Sequence, residues 1–368
     1  MEIFVNILFY IFVLSIIIQL FYAFYFFKKL SFFKQDESQF QKGVSVIICA
    51  KNEDENLEEN LPSFLKQNYP FYELIVVNDQ SVDRTKYVLQ ELEKHNFNLK
   101  VVTIDENVTH QIGKKFALTM GLKTAKYDYV LLSDADCRAD SENWIKQMVT
   151  SFSKKDIVLG FGAYQKKRGI LNKFIRFDTF QVALQYFSYA LSGIPYMGVG
   201  RNLAYKKSLF FQNKGFATHL HIPSGDDDLF IQEVATKDNV AIQILEESHT
   251  TSQVMDSWKE WIYQKRRHIT TSKYYKKKHK ILLAVWPFTQ ILFWFLSIPL
   301  FILFPNIYII LSLFLFRILV YYFVYNKSMK SLKVKDLYPY FPLIEFFYLL
   351  AQGFFVLLNL FYKPKRWK

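Results

Sequence analysis

The chain carries long apolar stretches near both of its ends, and these constrain the fold more than any other feature. Residues 3–27 contain no charged side chain, and about 20 apolar residues in helical form are enough to cross a bilayer. Residues 281–304 and 307–325 are similarly apolar and are separated by a Pro-Asn pair, which predicts a helical hairpin. A last apolar stretch covers residues 341–362. The sequence therefore predicts a multi-pass membrane protein.

The charges predict which side of the membrane the rest of the chain faces. Lys28, Lys29 and Lys34 follow the first apolar stretch, so the positive-inside rule puts the following residues in the cytoplasm. The formal net charge of +13 suits anionic lipid. No basic helix carries base-reading residues, so we expect no nucleic-acid partner. Two cysteines give no disulfide framework. We expect an inner (plasma) membrane protein with a cytoplasmic domain.

Three expectations concern the C-terminal part of the chain. Four complete crossings would put its basic end outside, so we expect the last stretch, which contains Glu345, to be re-entrant or interfacial. Arg317, inside the hairpin, is expected to face protein or to reach the membrane surface. Residues 257–280 combine Trp and Tyr with many Lys and Arg residues, a composition typical of a helix that lies on the membrane interface.

Between the apolar ends, segments with strand and helix patterns alternate. This alternation predicts a parallel sheet covered by helices on both faces, and hence the α/β class. After these segments the pattern is less regular, and we predict a further strand at 157–164, a helix at 174–191 and a final strand at 241–246. The earlier predicted strands are 44–50, 74–77, 99–104 and 129–133, and the predicted helices are 52–67, 83–95 and 114–124.

Acidic residues follow two of the predicted strands. Asp134 and Asp136 are two positions apart, so they lie on one side of an extended chain. Two such carboxylates suit Mg²⁺ or Mn²⁺, which in turn suits a diphosphate. Asp79 ends another strand, with Asp83 four residues later. In an open α/β sheet ligands bind beyond the carboxyl ends of the strands. The alternatives are a solvated turn for the first pair and a helix cap for the second.

Three other segments combine charge and position in ways that suit a phosphate-bearing substrate. Gly113-Lys114-Lys115 opens a helix, and a helix N-terminus with a lysine favours phosphate. Residues 225–228, Gly-Asp-Asp-Asp, offer carboxylates for a general base. Residues 264–268, Gln-Lys-Arg-Arg-His, could surround a pyrophosphate. The alternatives are a solvated helix start, a charged helix N-terminus and a basic helix that faces the membrane.

In this order the motifs VSVIICAKNE, LIVVNDQSVDRT, GKKFALTMGL, LLSDADC, GVGRNLAY, SGDDDLF and QKRRH resemble those of the family 2 glycosyltransferases. The resemblance covers about residues 43–268. Within the family, the chain most resembles the membrane-integrated branch, which includes cellulose, chitin and hyaluronan synthases and ceramide glucosyltransferase. It implies a GT-A nucleotide-sugar (Rossmann-like) domain flanked by transmembrane helices. It also implies a nucleotide-sugar donor, a UDP-sugar by expectation, and a lipid or glycan acceptor.

The resemblance assigns roles to matching residues. Asp136 would hold Mg²⁺ or Mn²⁺, and Asp226 or Asp227 would be the catalytic base, with the spacing to Leu229 favouring Asp226. Asp79 would hold the base and ribose of the nucleotide, and Gln264 and Arg267 would match the Gln-x-x-Arg-Trp motif. The other residues expected to bind substrate are Glu53, Asp83, Lys114, Asp134 and Asn202.

One departure bears on the product. His268 stands where the family has tryptophan, and His stacks less well on a sugar, which favours transfer of a single sugar over polymerisation. We expect the transfer to invert the anomeric configuration, as a single displacement does. The alternatives are a processive polysaccharide synthase and a membrane scaffold with a degenerate transferase domain. The predicted organisation is a transmembrane helix at 1–28, a cytoplasmic catalytic domain at 43–250, interface helices at 251–280 and a transmembrane region at 281–362.

Overall fold

The computed structural model describes residues 1–35, 38–104, 113–222 and 224–361. Within these ranges the chain separates into two units, and each is described by itself. The basic residues after 362, on which the expected topology of the last apolar stretch depended, lie outside the described residues.

The first unit is entirely helical and combines residues 1–33, 169–188 and the described residues from 261 onward. Four stretches in it are long and apolar enough to cross a membrane: Glu2–Ser31, Lys277–Leu303, Ile307–Ser331 and Lys335–Asn359. Its helices, some of which continue into the second unit, are α1 (Glu2–Phe21), α2 (Lys28–Ser31), α7 (Ile170–Leu191), α10 (Trp258–Ile269), α11 (Lys277–Leu303), α12 (Ile307–Ser331) and α13 (Phe341–Phe361), in the numbering of the whole chain.

An ion pair joins two of the candidate spans. Arg317 on α12 donates two hydrogen bonds to Glu345 on α13, at 2.6 and 3.0 Å, and both side chains are buried. Gln19 on α1 accepts a third bond from Arg317, and Gln290 on α11 donates to Glu345. The expectation that Arg317 faces protein is confirmed. The charge of Glu345, which argued against a span at the last stretch, is neutralised by a partner within the unit.

Helix α7 belongs to the first unit through residues 169–188, although the sequence analysis included them in the α/β domain. Two ion pairs explain the difference. Arg176 donates to both carboxylate oxygens of Asp336, at 2.8 and 2.6 Å. Asp178 pairs with Lys265 of α10 at 2.6 Å. These contacts connect sequence positions too far apart for a local pattern to reveal.

The segment 257–280 is divided in the structure, and its place at the membrane interface stays a prediction. Helix α10 ends at Ile269, and the basic residues from Lys277 onward instead begin α11. Trp261 is buried, and its ring packs edge-on against Phe355 of α13. An aromatic side chain in this position fills the interior of the unit and is unavailable to lipid.

The second unit is an α/β domain built from residues 34–168 and 189–260. Its helices lying wholly within these ranges are α3 (Asp54–Leu65), α4 (Thr85–His95), α5 (Lys114–Thr124), α6 (Trp144–Val149), α8 (Lys207–Gln212) and α9 (Asp228–Val234). Its strands are β1 (Val44–Ala50), β2 (Tyr72–Asp79), β3 (Leu99–Ile104), β4 (Tyr129–Asp134), β5 (Cys137–Ala139), β6 (Ile157–Leu159), β7 (Gly162–Tyr164), β8 (Leu203–Lys206), β9 (Val240–Ile242) and β10 (Thr250–Ser252).

The larger sheet has seven strands in the order β3-β2-β1-β4-β8-β6-β9. All neighbouring pairs are parallel except the two that involve β8. Strands β1, β2 and β4 are runs of β-branched and other apolar residues whose side chains are buried on both faces, as a covered parallel sheet requires. The chain order reverses between β1 and β4, which is where such sheets bind ligands.

The register places the acidic strand ends at one edge. Cys49 of β1 lies opposite Asp134 of β4, and Ala50 lies opposite Asn78, the residue before Asp79. The carboxyl ends of β2 and β4 therefore flank that of β1 at nearly the same level. This register places Asp79 and Asp134 at the same edge of the sheet.

One predicted strand is two strands in the structure. The segment 157–164 divides into β6, in the seven-stranded sheet, and β7, in a three-stranded sheet of order β5-β10-β7. The division falls at Gly160 and Phe161. A Cβ at Gly160 would overlap the side chain of Asn202, so the chain turns here around a buried amide. An apolar pattern cannot show such a packing constraint.

Candidate active site

Three carboxylates surround the point where β4 ends. Asp134 is the last residue of β4, and Asp136 follows in the turn to β5. Burial raises the pKa of Asp136, and the charges of Asp134 and Glu53 raise it further, while Arg201 opposes them. A carboxylate whose pKa is raised in this way gains free energy from a cation placed beside it.

The donor set fits a divalent cation held jointly with substrate. Among the described residues, no group of three His, Cys, Asp or Glu side chains could hold a metal ion alone. Mg²⁺ commonly takes one or two carboxylates and completes its shell with water and phosphate oxygens. Asp136, with the negative charge of Asp134 and Glu53 around it, provides the hard oxygen that such a site needs.

Lys114, at the start of α5, connects the two acidic segments. Its Nζ lies 2.8 Å from Oδ1 of Asp134 and 3.2 Å from Oδ2 of Asp226. Burial acts to lower its pKa, but Asp134, Asp226 and Asp227 outweigh burial, and the pKa lies well above the usual value. Lys114 is therefore an ammonium ion at all physiological pH values. It connects the end of β4 to residues 225–227, which precede α9 and are called the acidic loop.

The acidic loop holds its first two carboxylates in different states. Asp226 is buried, which acts to raise its pKa, yet the charge and hydrogen bond of Lys114 leave the pKa below the usual value. Burial and the charges of Asp226 and Asp228 raise the pKa of Asp227 to about 7. Asp226 is therefore ionised near neutral pH, and the nearby proton belongs to Asp227.

Two glycines lie beside this loop, and the backbone conformation requires glycine at Gly225. Gly225 has φ of +95°, and a Cβ there would overlap the Leu229 side chain. Gly200 donates its N–H to Oδ2 of Asp227 at 2.8 Å. A Cβ at Gly200 would lie 3.3 Å from Nζ of Lys114 and 3.7 Å from Oδ2 of Asp226. Gly200 therefore leaves room for the lysine and the carboxylate to meet.

Asp79 is the buried acid at the end of β2. Its side chain has no accessible surface, and no side chain among the described residues bonds to either carboxylate oxygen. Burial raises its pKa, and the charge of Lys51 and the backbone N–H of Gly113 oppose this. A buried carboxylate without a side-chain partner is costly for the fold, which favours a role toward a ligand.

Two predicted substrate-binding residues are engaged within the protein. Asp83 accepts bonds from the backbone N–H groups of Thr85 and Asp54, at 2.9 and 3.3 Å, so it caps helix starts, the alternative considered from the sequence. Asn202 is buried; its amide donates to the carbonyls of Phe161 and Ser248 and accepts from Trp144. The side chain of Asn202 therefore has a structural role. The GVGRN motif does not show this role, because the sequence does not reveal that the segment is buried.

The substrate-binding roles of the three remaining residues, Glu53, Gln264 and Arg267, stay predictions. Glu53 precedes α3, and its N–H donates to Thr85 Oγ1 at 2.9 Å. Gln264 and Arg267 belong to the first unit, on α10, and their contact with substrate stays a prediction. The two residues between them are used elsewhere, since Lys265 pairs with Asp178 and Arg266 donates to Asn359 at 2.9 Å.

Sequence reasoning missed Arg201 and Gly200. The Arg201 guanidinium stacks on the Tyr164 ring at 4.3 Å, and its charge acts on Asp136. A Cβ at Gly162 would overlap the Arg201 side chain. The only sequence signal was the paired glycines of GVGRN, whose partners lie far along the chain.

Comparison with known proteins identifies the domain. Residues 45–211 match the family model described as Glycosyl transferase family 2. A poly-beta-1,6-N-acetyl-D-glucosamine synthase of Staphylococcus epidermidis is 34% identical over 142 residues, which is 38% of this chain and 33% of that protein. A 4,4'-diaponeurosporenoate glycosyltransferase of Staphylococcus haemolyticus is 32% identical over 126 residues, which is 34% of this chain and 32% of that protein. The matched region spans about a third of the length of these relatives.

A solved structure shows the same architecture over a longer range. The mannosyltransferase PcManGT from Pyrobaculum calidifontis, in complex with GDP-Man and Mn²⁺, matches with a TM-score of 0.61, covering 97% of this chain and 99% of that chain. The sequence identity is 16%, so the likeness concerns the fold alone. With the seven-stranded sheet and the acidic strand ends, residues 45–211 are similar to the family 2 glycosyltransferases, and the fold is GT-A.

Proposed function

We propose that this chain transfers a sugar from a nucleotide-sugar, a UDP-sugar first, to a lipid or lipid-linked glycan acceptor at the cytoplasmic face of the inner (plasma) membrane. The configuration of the anomeric carbon inverts, as a single displacement requires. The observation that carries the proposal is the position of Lys114 between Asp134 and Asp226, at 2.8 and 3.2 Å. Lys114 thus connects Asp134, in the donor site, with Asp226, in the acidic loop.

The donor occupies the edge of the sheet where β1, β2 and β4 end. Asp79 accepts hydrogen bonds from the base or ribose, which supplies the partner that its buried carboxylate lacks among the described side chains. Lys114 attracts the diphosphate, since a lysine at a helix start favours phosphate. Asp136 holds a divalent cation, Mg²⁺ or Mn²⁺, which when bound neutralises charge on the leaving diphosphate.

Asp226 is the general base. Lys114 keeps it ionised, so it is free to take the proton of an acceptor hydroxyl. The oxygen then attacks the anomeric carbon in line, and the bond to the diphosphate breaks. Asp227 is a weaker candidate, because its two oxygens already accept the N–H groups of Gly200 and Asp228.

A membrane acceptor is supported by the four apolar stretches of the first unit. Gln264 and Arg267 are proposed to contact the acceptor or the diphosphate, as in the family motif that they match.

The test is a donor screen in membranes that contain the overexpressed chain. We expect release of nucleoside diphosphate with one UDP- or GDP-sugar, in the presence of Mg²⁺ or Mn²⁺ and absent with chelator. Asp136→Ala and Asp226→Asn should each lower transfer by about 10²- to 10⁴-fold, whereas Asp238→Asn, an exposed carboxylate of the same unit, should not. Activity retained in Asp136→Ala or Asp226→Asn would exclude the assigned roles.

A processive polysaccharide synthase is the second candidate. The name of the Staphylococcus epidermidis relative supports it, whereas His268, in place of tryptophan, favours single transfer. Product sizing separates the two, since one acceptor extended to a ladder of products would favour the synthase. A catalytically degenerate membrane scaffold, the third possibility, predicts that no nucleotide-sugar binds, which calorimetry measures directly.

A further inference from the structure

The lysine next to Lys114 has no part in the donor site and is nevertheless buried. Lys115 has an exposed fraction of 6%. Its Nζ lies 2.8 Å from Nδ1 of His219, 2.6 Å from the His219 carbonyl oxygen and 2.9 Å from the Ile222 carbonyl oxygen. An ammonium has three N–H donors, so these three acceptors use all of them. All three belong to one segment, from His219 to Ile222.

The same segment is also connected to helix α9. An ammonium cannot accept, so Nδ1 of His219 must, and the ring proton is on Nε2. That nitrogen lies 3.7 Å from Oε2 of Glu233, on α9. Glu233 also accepts hydrogen bonds from Thr218 and Asn213. Helix α9 begins at Asp228, so the segment is connected to elements on both sides of the acidic loop.

We propose that Lys115 is a positioning residue, which fixes the segment from His219 to Ile222 and thereby sets the place of Asp226. Ile222 precedes Asp226 by four positions in the chain. The two adjacent lysines then act together, since Lys114 contacts Asp226 directly and Lys115 holds the backbone that leads to it. The inference rests on the proposed function, because Asp226 is its general base.

Lys115 can make its three hydrogen bonds to His219 and Ile222 only within a range of pH. Burial lowers the pKa of Lys115 to about 8, and above that pH a neutral amine has two N–H donors for three acceptors. Burial and the charge of Lys115 also lower the pKa of His219, and once protonated its Nδ1 can no longer accept. The other charged groups that face Lys115 are Asp226, Asp228, Asp227 and Glu233.

The first test is Lys115→Met, with Lys123→Met as the control, because Lys123 is exposed on the same helix. We expect kcat to fall by about 10- to 100-fold, as for a displaced catalytic group, while donor KM and nucleotide binding change by less than about threefold. The wild type should lose kcat above pH 8, and Lys115→Met should lack that decline. Wild-type kcat and pH profile in Lys115→Met would overturn the inference.

A second measurement separates this inference from the proposed function. Amide hydrogen exchange of the whole chain in detergent should be faster in Lys115→Met than in the wild type over residues 216–222, and unchanged in Lys123→Met. His219→Leu, which removes one of the three acceptors, should show the same local increase. If the wild type transfers no sugar, the proposed function fails, and the exchange data still decide the contact. Unchanged exchange in both Lys115→Met and His219→Leu would overturn the role of Lys115.

Discussion

The ion pair in the first unit makes a quantitative prediction. Glu345 receives two bonds from Arg317, one from Gln290 at 2.7 Å and one from Trp294 at 3.2 Å. In Glu345→Gln the charge is removed while the buried guanidinium remains, and breaking a buried pair in this way costs about 3–5 kcal/mol. Arg317→Met should cost a similar amount. The double variant Arg317→Met/Glu345→Gln should be destabilised by about 1–3 kcal/mol less than the sum of the two single changes.

The assay is equilibrium unfolding of the purified chain in mixed detergent, followed by helical circular dichroism. Leu319→Met is the matched control, because Leu319 lies on the same helix and is 65% exposed. Additive losses in the double variant would show that Arg317 and Glu345 do not interact. Wild-type stability in Glu345→Gln would refute the reasoning from buried charge.

Three further predictions concern the second unit. Gly200→Ala should lower transfer by about 10-fold or more by pushing Lys114 from Asp226, measured as kcat at saturating donor. Asn202→Leu should destabilise the domain by about 1–3 kcal/mol, since Trp144 and two carbonyls lose partners, as denaturant unfolding would show. Asp79→Asn should weaken nucleotide binding in calorimetry yet raise stability at neutral pH, because the pKa of Asp79 is raised and its ionised form is therefore disfavoured in the folded state; a stability loss at neutral pH would contradict this.

Local pattern was sufficient for the strands that carry the site. The bounds predicted for β1, β3 and α5 agree with the structure, because buried parallel strands are continuous apolar runs and Gly113 marks the helix start. The meeting of Asp79 and Asp134 at one edge followed from the rule that parallel strands end together. These inferences depend on neighbours in sequence or on general rules of sheet topology.

Contacts between distant side chains were beyond that reasoning. Lys114 reaches Asp226 across 112 positions, and the partner of Arg317 could not be chosen among several polar residues of the spans. Asn202 belongs to the GVGRNLAY motif, but its side chain packs against Gly160. Such roles depend on which side chain fills which space, and a local pattern of residues does not show that packing.

For the QKRRH segment, too, the sequence indicated the family but not the contacts between side chains. The order of motifs indicated a family, and with it a chemistry, whereas the pairing of Lys265 with Asp178 could not be predicted from the QKRRH segment. The proposed contact of those two residues with substrate rests on the motif alone.

The central claim is that Asp226 enables sugar transfer from a nucleotide-sugar bound at the end of β4. The most direct measurement follows one labelled donor in a single turnover, comparing the wild type with Asp226→Asn. We expect one equivalent each of nucleoside diphosphate and glycosylated lipid from the wild type, and neither from Asp226→Asn, although that variant still binds donor. Transfer by Asp226→Asn at the wild-type rate, or a wild type that binds no nucleotide-sugar, would contradict the claim.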